Sequence, residues 1–306
     1  DIPLNPDDGR SSSRIDLDGA DEVSNWQDSA PSPGFRASTG TFEVAADGSA
    51  DYLTIGEAIR DAAAGSEIVV HAGTYTEDVV FTEGVTLASV DGADSTTIVG
   101  DISIDSVGGT PALVGFTIEG NVVVWSVDTD FADNALVEGQ LTWHYANGSI
   151  TGSRFTGGET AVALDYYASP EISSNTFSGQ SSTGVYGTIG SAPHVSANVF
   201  DDIGESAISC SSEPTIEGNE ISNSTVGISV TGDAMVFGNV ITDSGSGILS
   251  YDSGAEIYAN YLMGNAIGIH LEESAGAVLN NMVIGNDWGI SVSGGITDFI
   301  YNEVSA

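Results

Sequence analysis

Carboxylates and aromatic rings recur together in a set of short turns of this sequence. Asp165, Glu213, Asp233, Asp252, Glu272 and Glu273 supply the carboxylates, and Tyr145, Tyr166, Tyr167, Tyr186 and Tyr251 lie close by. His144 and His270 are expected to point outward beside them. Two carboxylates facing one groove can hydrolyse a glycosidic bond when they stand roughly 5–9.5 Å apart. Aromatic faces beside carboxylates are surfaces that sugar rings use. A neutral-glycan site built this way would draw on His144, Tyr145, Asp165, Tyr166, Tyr167, Tyr186, Tyr251 and Asp252. The competing explanation is base rate, because a chain this acidic places a carboxylate in almost every turn.

Metal chemistry has fewer candidates. His71, His144, His194 and His270 are scattered without close ligand spacing, which points away from zinc or copper. Two acidic stretches could offer oxygen ligands to Ca²⁺, the one cofactor the pattern admits: Asp16, Asp18 and Asp21 in "DLDGADE", and Asp128, Asp130 and Asp133 in "VDTDFADN". Neither matches the twelve-residue helical Ca²⁺ loop, and the simpler reading of both is a solvated turn.

The whole chain carries 44 acidic residues against five arginines and no lysine, a formal charge of −39 over 306 residues. That charge repels nucleic acid and anionic membranes, and it disfavours polyuronates for the same reason. It suits cations, neutral glycans and salty surroundings. The single cysteine, Cys210, excludes an intrachain disulfide and is expected to point inward and be inert. No apolar run approaches the length of a membrane span. The first residue is Asp1, which a removed secretion signal or trimming would both explain, and an extracellular or cell-surface location is expected.

The elements that must position these side chains announce themselves by repetition. "VGISVTGDAMVFGNVITDSG" is followed by "SGILSYDSGAEIYANYLMGNA" and "IGIHLEESAGAVLNNMVIGND". Asn134, Asn175, Asn198, Asn219, Asn239, Asn260, Asn281 and Asn302 mark one slot of the repeat, with Phe116 and Ser153 in the same slot of two earlier units. The intervals run from roughly 18 to 23 residues and settle at about 21. Such a unit is too short for a helix pair and fits three short strands and three turns. Inward and outward residues then alternate in each strand, and equivalent positions stack about 4.8 Å apart. Asn turned inward at a bend can satisfy backbone groups and bond to the Asn above it, so the Asn series reads as a structural ladder. Trp125 and Trp143, separated by the shortest of these intervals, are expected to stack on one another.

Ahead of the repeat, residues 41–84 read as a cap with one helix, opened by the capping box Thr54–Glu57. Residues 85–306 read as about ten coils, and residues 1–40 as an acidic tail without a sustained period. The segment "DYLTIGEAIRDAAAGSEIVVHAGTYTEDVVF", with the G-I-x-V and N-x-I/V repeats, resembles the right-handed parallel β-helix superfamily, the pectin-lyase-like fold. The resemblance covers residues 41–306 and implies an all-β parallel β-helix with three strands per coil and a short N-terminal capping helix. That fold hosts lyases, hydrolases, epimerases, esterases, phage spikes, adhesins and inert scaffolds.

Motifs of enzymes with this fold are missing. Asp201–Asp202 is the only adjacent Asp pair in the coils, and there is no G-H-G, no R-I-K and no Y-G-F-D-P-H stretch. Neither lyase nor epimerase action on anionic sugars is expected. Three functions stay open: a non-catalytic scaffold, a glycan-binding or glycan-cleaving protein, and a calcium-loaded surface module. The first is the leading expectation. It pictures copies assembling head to tail into a filament, with the tail of one docked on the end coil of the next through Trp26, Phe35 and Val304.

Overall fold

Strands of three to six residues, most with alternate side chains buried, have one efficient way to pack here: successive coils laid on one another. The computed structural model describes residues 11–14, 26–29, 39–188, 190–295 and 297–305. Three parallel sheets run along it. The first has 13 strands from Thr41–Val44 to Asp298–Ile300, the second 12 from Gly73–Thr76 to Glu303–Ser305, and the third 11 from Val79–Phe81 to Trp288–Ser293. Each strand pairs with its equivalents one coil before and one coil after, which makes a right-handed parallel β-helix. Residues 67–81 already form a full coil, so the solenoid is under way before the Asn repeat begins.

Helix α1 (Ile55–Asp61) covers the N-terminal coil with Ile55, Ala58 and Ile59 buried. Thr54 Oγ1 accepts the Glu57 amide, and the Glu77 carboxylate takes the Ile55 and Gly56 amides at 2.9 Å each. An anion on the first amides of a helix satisfies donors that have no intrahelical partner. Among the described residues, no helix is long and apolar enough to cross a membrane.

The interior is a set of columns. One runs Leu136, Phe155, Phe177, Phe200, Ile221, Ile241, Leu262 and Val283 up the second sheet, all buried. Its phenylalanine rings stack at 4.8 and 4.5 Å with planes 5° apart. Between the first and second sheets runs the Asn ladder. From Asn175 to Asn281 each side-chain Nδ2 donates to the Oδ1 of the next Asn at 2.9–3.0 Å. The same oxygens accept the backbone amides below them. Ser153 bridges Asn134 to Asn175. A second, shorter ladder at the next corner joins Ser224, Ser244, Asn265 and Asn286.

Sharp corners need left-handed backbone. The residue before the ladder Asn adopts positive φ in coil after coil, as Asp133 (55°), Ser174 (59°), Ala197 (53°) and Ala259 (55°) show. The corner after the third sheet uses the same device at Ser106, Ser126, Tyr145, Tyr166, Asp252 and Glu273.

Trp125 and Trp143 do not stack. The register pairs Trp143 with Val124 and Trp125 with His144, so the coil here is one residue longer than the spacing of the two tryptophans. A one-residue offset sends a side chain to the opposite face. Trp143 is buried in the core, and Trp125 stands outside.

In the N-terminal segment, Ser11–Arg14 pairs antiparallel with Trp26–Ser29, Trp26 opposite Arg14. Asp16, Asp18, Asp21 and Phe35 lie outside the described residues. Val304, on the last strand of the second sheet, is half-exposed.

Candidate functional site

The outer face of the third sheet carries a ladder Asp105, Trp125, His144, Asp165, one residue per coil. The chain turns immediately after each of these, and two successive corners hold Tyr145 and Tyr166. The four rings meet. Trp125 lies 4.4 Å from His144, 6.0 Å from Tyr145 and 6.1 Å from Tyr166. Tyr145 and Tyr166 stack at 5.1 Å with planes 11° apart. Trp125, Tyr145 and Tyr166 are 38%, 49% and 51% exposed, so the shelf faces solvent.

Backbone geometry makes these tyrosines unusual. Tyr145 (φ 50°), Tyr166 (53°) and Tyr167 (67°) all sit in the left-handed region. A bulky residue there costs of order 1 kcal/mol. The equivalent corners of other coils use Ser126, Gly232, Asp252 and Gly294. The fold needs the bend, and it does not need a ring at the bend.

His144 lies beneath the shelf, its side chain 14% exposed. Its Nδ1 is buried without a hydrogen-bond partner, and the Asp165 Oδ2 is 3.7 Å away, beyond hydrogen-bond reach. Tyr167 turns toward the following coil, where its ring fills the space a Cβ at Gly190 would need. There it walls a cleft of about 400 Å³ with Gly190, Ala192, Ser212, Glu213, Gly232 and Asp233. Another cleft, of about 320 Å³, lies at the corner between the second and third sheets, lined by Glu119, Asn121, Val137 and Glu138.

The structure thus brings together His144, Tyr145, Asp165 and Tyr166, and sets Tyr167 beside them. Tyr186 faces outward on the neighbouring ladder, opposite Ala163 and Ser209. Tyr251 and Asp252 stand four coils beyond Asp165, about 19 Å along the axis at ordinary strand spacing. Trp125 joins the shelf from a stretch whose apolar residues, "VVVW", hide which side faces out. The signal that finds it is the coil length in this part of the chain, which carries Trp125 onto His144 and past Trp143.

Asp105 and Asp165 bracket the shelf but are three strands apart, about 14 Å. That exceeds the separation used by either class of two-carboxylate glycosidase. Asp128 and Asp130 cap the next coil instead, Asp128 accepting the Asn147 amide and Asp130 the Ser149 hydroxyl. Asp133 takes the left-handed corner before Asn134. Elsewhere, His194 on the first sheet holds Glu171 at 2.7 Å and Glu217 at 2.8 Å, tying three coils together. Among the described residues, no group of three or more His, Cys, Asp or Glu side chains is placed to hold a metal ion.

Residues 96–288 match the family described as periplasmic copper-binding protein (NosD), well over half of the chain. The chain belongs to the NosD family. No curated protein matches it. Solved structures similar to this NosD-family chain include the A-module of the Azotobacter vinelandii mannuronan C-5 epimerase AlgE4, with TM-score 0.59 and 15% identity over 79% of this chain and 87% of that one. Another is XylC in complex with xylose, with TM-score 0.55 and 11% identity over 82% and 69%. A third is the family 6 polysaccharide lyase Pedsa3628 from Pseudopedobacter saltans, with TM-score 0.53 and 13% identity over 86% and 92%. At these identities the likeness is one of fold, and it places the NosD-family chain among pectin-lyase-like β-helices.

Proposed function

We propose that this protein is an extracytoplasmic glycan-binding β-helix that rests a neutral sugar chain on the shelf of Trp125, Tyr145 and Tyr166. The observation that carries the reading is the pair of stacked, solvent-facing tyrosines held on left-handed backbone. Rings kept at a conformational cost, beside an indole and the partly exposed Asp165 carboxylate, offer sugar both apolar faces and a polar partner. The periplasmic description of the family and the carbohydrate enzymes among its structural neighbours support the same direction.

Charge selects the sugar. The third sheet and its corners carry no arginine among the described residues. Arg60 lies on α1 and Arg154 on the second sheet, paired with Asp94. Lyases and epimerases of uronates must neutralise a carboxylate, and this face is lined by Asp105 and Asp165. The wide separation of those two carboxylates favours binding over cleavage at the shelf.

The histidines and the cysteine make a poor copper site. His194 has both ring nitrogens on carboxylates, and the other histidines lie on separate coils. Burial pushes the Cys210 thiol up to about 12, so it offers no thiolate at neutral pH. Head-to-tail assembly has no supporting observation either.

The test is calorimetric titration of the intact protein with neutral oligosaccharides (xylo-, cello- and manno-series) and with oligouronates. Binding of a neutral series that Tyr166→Ala abolishes supports the reading. No heat with any neutral series, or preference for uronates, overturns it.

A further inference from the structure

One other face of the solenoid changes character half-way along. On the first sheet, Ser173, Ser196 and Glu217 occupy one outward column, and the next two coils replace them with Phe237 and Tyr258, stacked at 4.8 Å. Across the Asn corner, on the second sheet, the column Thr176, Val199 and Glu220, mixed in character, gives way over the next three coils to the wholly apolar-bodied run Val240, Tyr261 and Met282. Met235, Met263 and Met282 are all the methionines the chain has, and every one stands on this face at 43%, 41% and 39% exposure. Methionine is ordinarily a core residue, and exposed clusters of it make adaptable binding surfaces.

Acidic side chains border the patch. Glu217 and Glu220 precede it, Asp298 and Glu303 follow it, and Glu256 lies inside it. No lysine or arginine occurs after Arg154, so nothing in this half of the chain balances that charge locally. A second copy would bring another −39 and the same acidic rim.

We infer that this face docks a cationic amphipathic polypeptide segment, one whose apolar side chains cover Met235, Phe237, Tyr258, Val240, Met263 and Met282 while lysine or arginine on its flanks meets the glutamate rim. The patch lies across the first and second sheets, away from the aromatic shelf of the third, so the inference stands independently of the glycan reading. Desolvated apolar contact supplies affinity at the centre, and opposite charge at the rim supplies rate and orientation.

The probe is a short synthetic amphipathic Leu/Lys peptide, with a sequence-scrambled isomer of identical composition as its control. Three methionines make the readout direct: methyl-¹³C methionine labelling of the full chain gives one signal for each. All three signals should shift on adding the amphipathic peptide, with binding at least about tenfold tighter than to the scrambled isomer. The variant M235S/M263S/M282S, altered only at exposed positions, should weaken peptide binding by about tenfold or more while keeping the melting temperature. Equal binding of the two peptides, or unmoved methionine signals, means charge alone is at work and overturns the proposal. So does sedimentation showing a dimer that the triple variant abolishes, since the face then belongs to a second copy.

Discussion

Tyr145 and Tyr166, one coil apart, stack with their planes 11° from parallel, and each stands on a left-handed corner that glycine would occupy more comfortably. That pairing separates function from stability in a way few core contacts do. Replacing either tyrosine with glycine relieves backbone strain and removes a ligand surface at once.

Tyr166→Gly should therefore leave thermal stability unchanged within about 1 kcal/mol, because the relief of positive φ offsets the lost ring contact. Glycan binding should disappear. Paired melting curves and calorimetric titrations check both halves, and a variant that melts early while still binding sugar would contradict the assignment of the ring to ligand.

Ligand charge makes a second prediction. Neutral oligosaccharides should bind, and pectate or alginate should neither bind nor be cleaved, with or without Ca²⁺. Appearance of unsaturated uronate absorbance on adding purified protein would show lyase chemistry and refute it.

Asn239 tests the ladder. Its Nδ2 donates to Ile216 O, Phe237 O and Asn260 Oδ1, and its Oδ1 accepts from the Asn219 amide and side chain. Asn239→Leu strands several buried groups at about 1–3 kcal/mol each, so a loss of about 3 kcal/mol or more is expected by denaturant unfolding. Asn302, in the last coil and only part-buried, should tolerate the same change far better.

Burial raises the Cys210 thiol to about 12. The raised folded-state value means its contribution to stability is complete below the unfolded thiol pKa and lost only as pH climbs toward 12. At neutral pH a thiol reagent should label the protein only after unfolding, with a labelling rate that tracks denaturant.

Asp201 carries the opposite sign. Hydrogen bonds from the Ser222 hydroxyl and the Asn223 amide, each at 2.7 Å, hold its carboxyl below the usual value. Its contribution is present above the unfolded pKa and is lost as pH falls through the lower folded value. Ser222→Ala should move the acid-unfolding midpoint to slightly higher pH, followed by circular dichroism.

Much of the architecture was legible because it is periodic. Asn175 through Asn302 recur in phase with the coil, and a residue that repeats in phase must stack, whatever fills the positions between. The second ladder through Asn265 and Asn286 carries the same interval as the first, and it is masked in the sequence because Ser224 and Ser244 hold its earlier rungs. Trp125 and Trp143 show the limit. A strand alternates faces every residue, so an error of one in coil length exchanges inside for outside.

What the amino-acid order determined by itself is the coil: its period, its inward Asn, its three-strand content and its acidic, cation-poor surface. All of these are properties of one repeat or of the whole composition. What only the tertiary structure decided is which side chains from different coils become neighbours. Trp125, His144, Tyr145 and Tyr166 come from three coils of unequal length, and they meet because parallel pairing fixes each coil over the last at strand spacing. The same stacking parts Asp105 from Asp165 by about 14 Å, a separation set by the number of intervening strands and by no local feature of either residue.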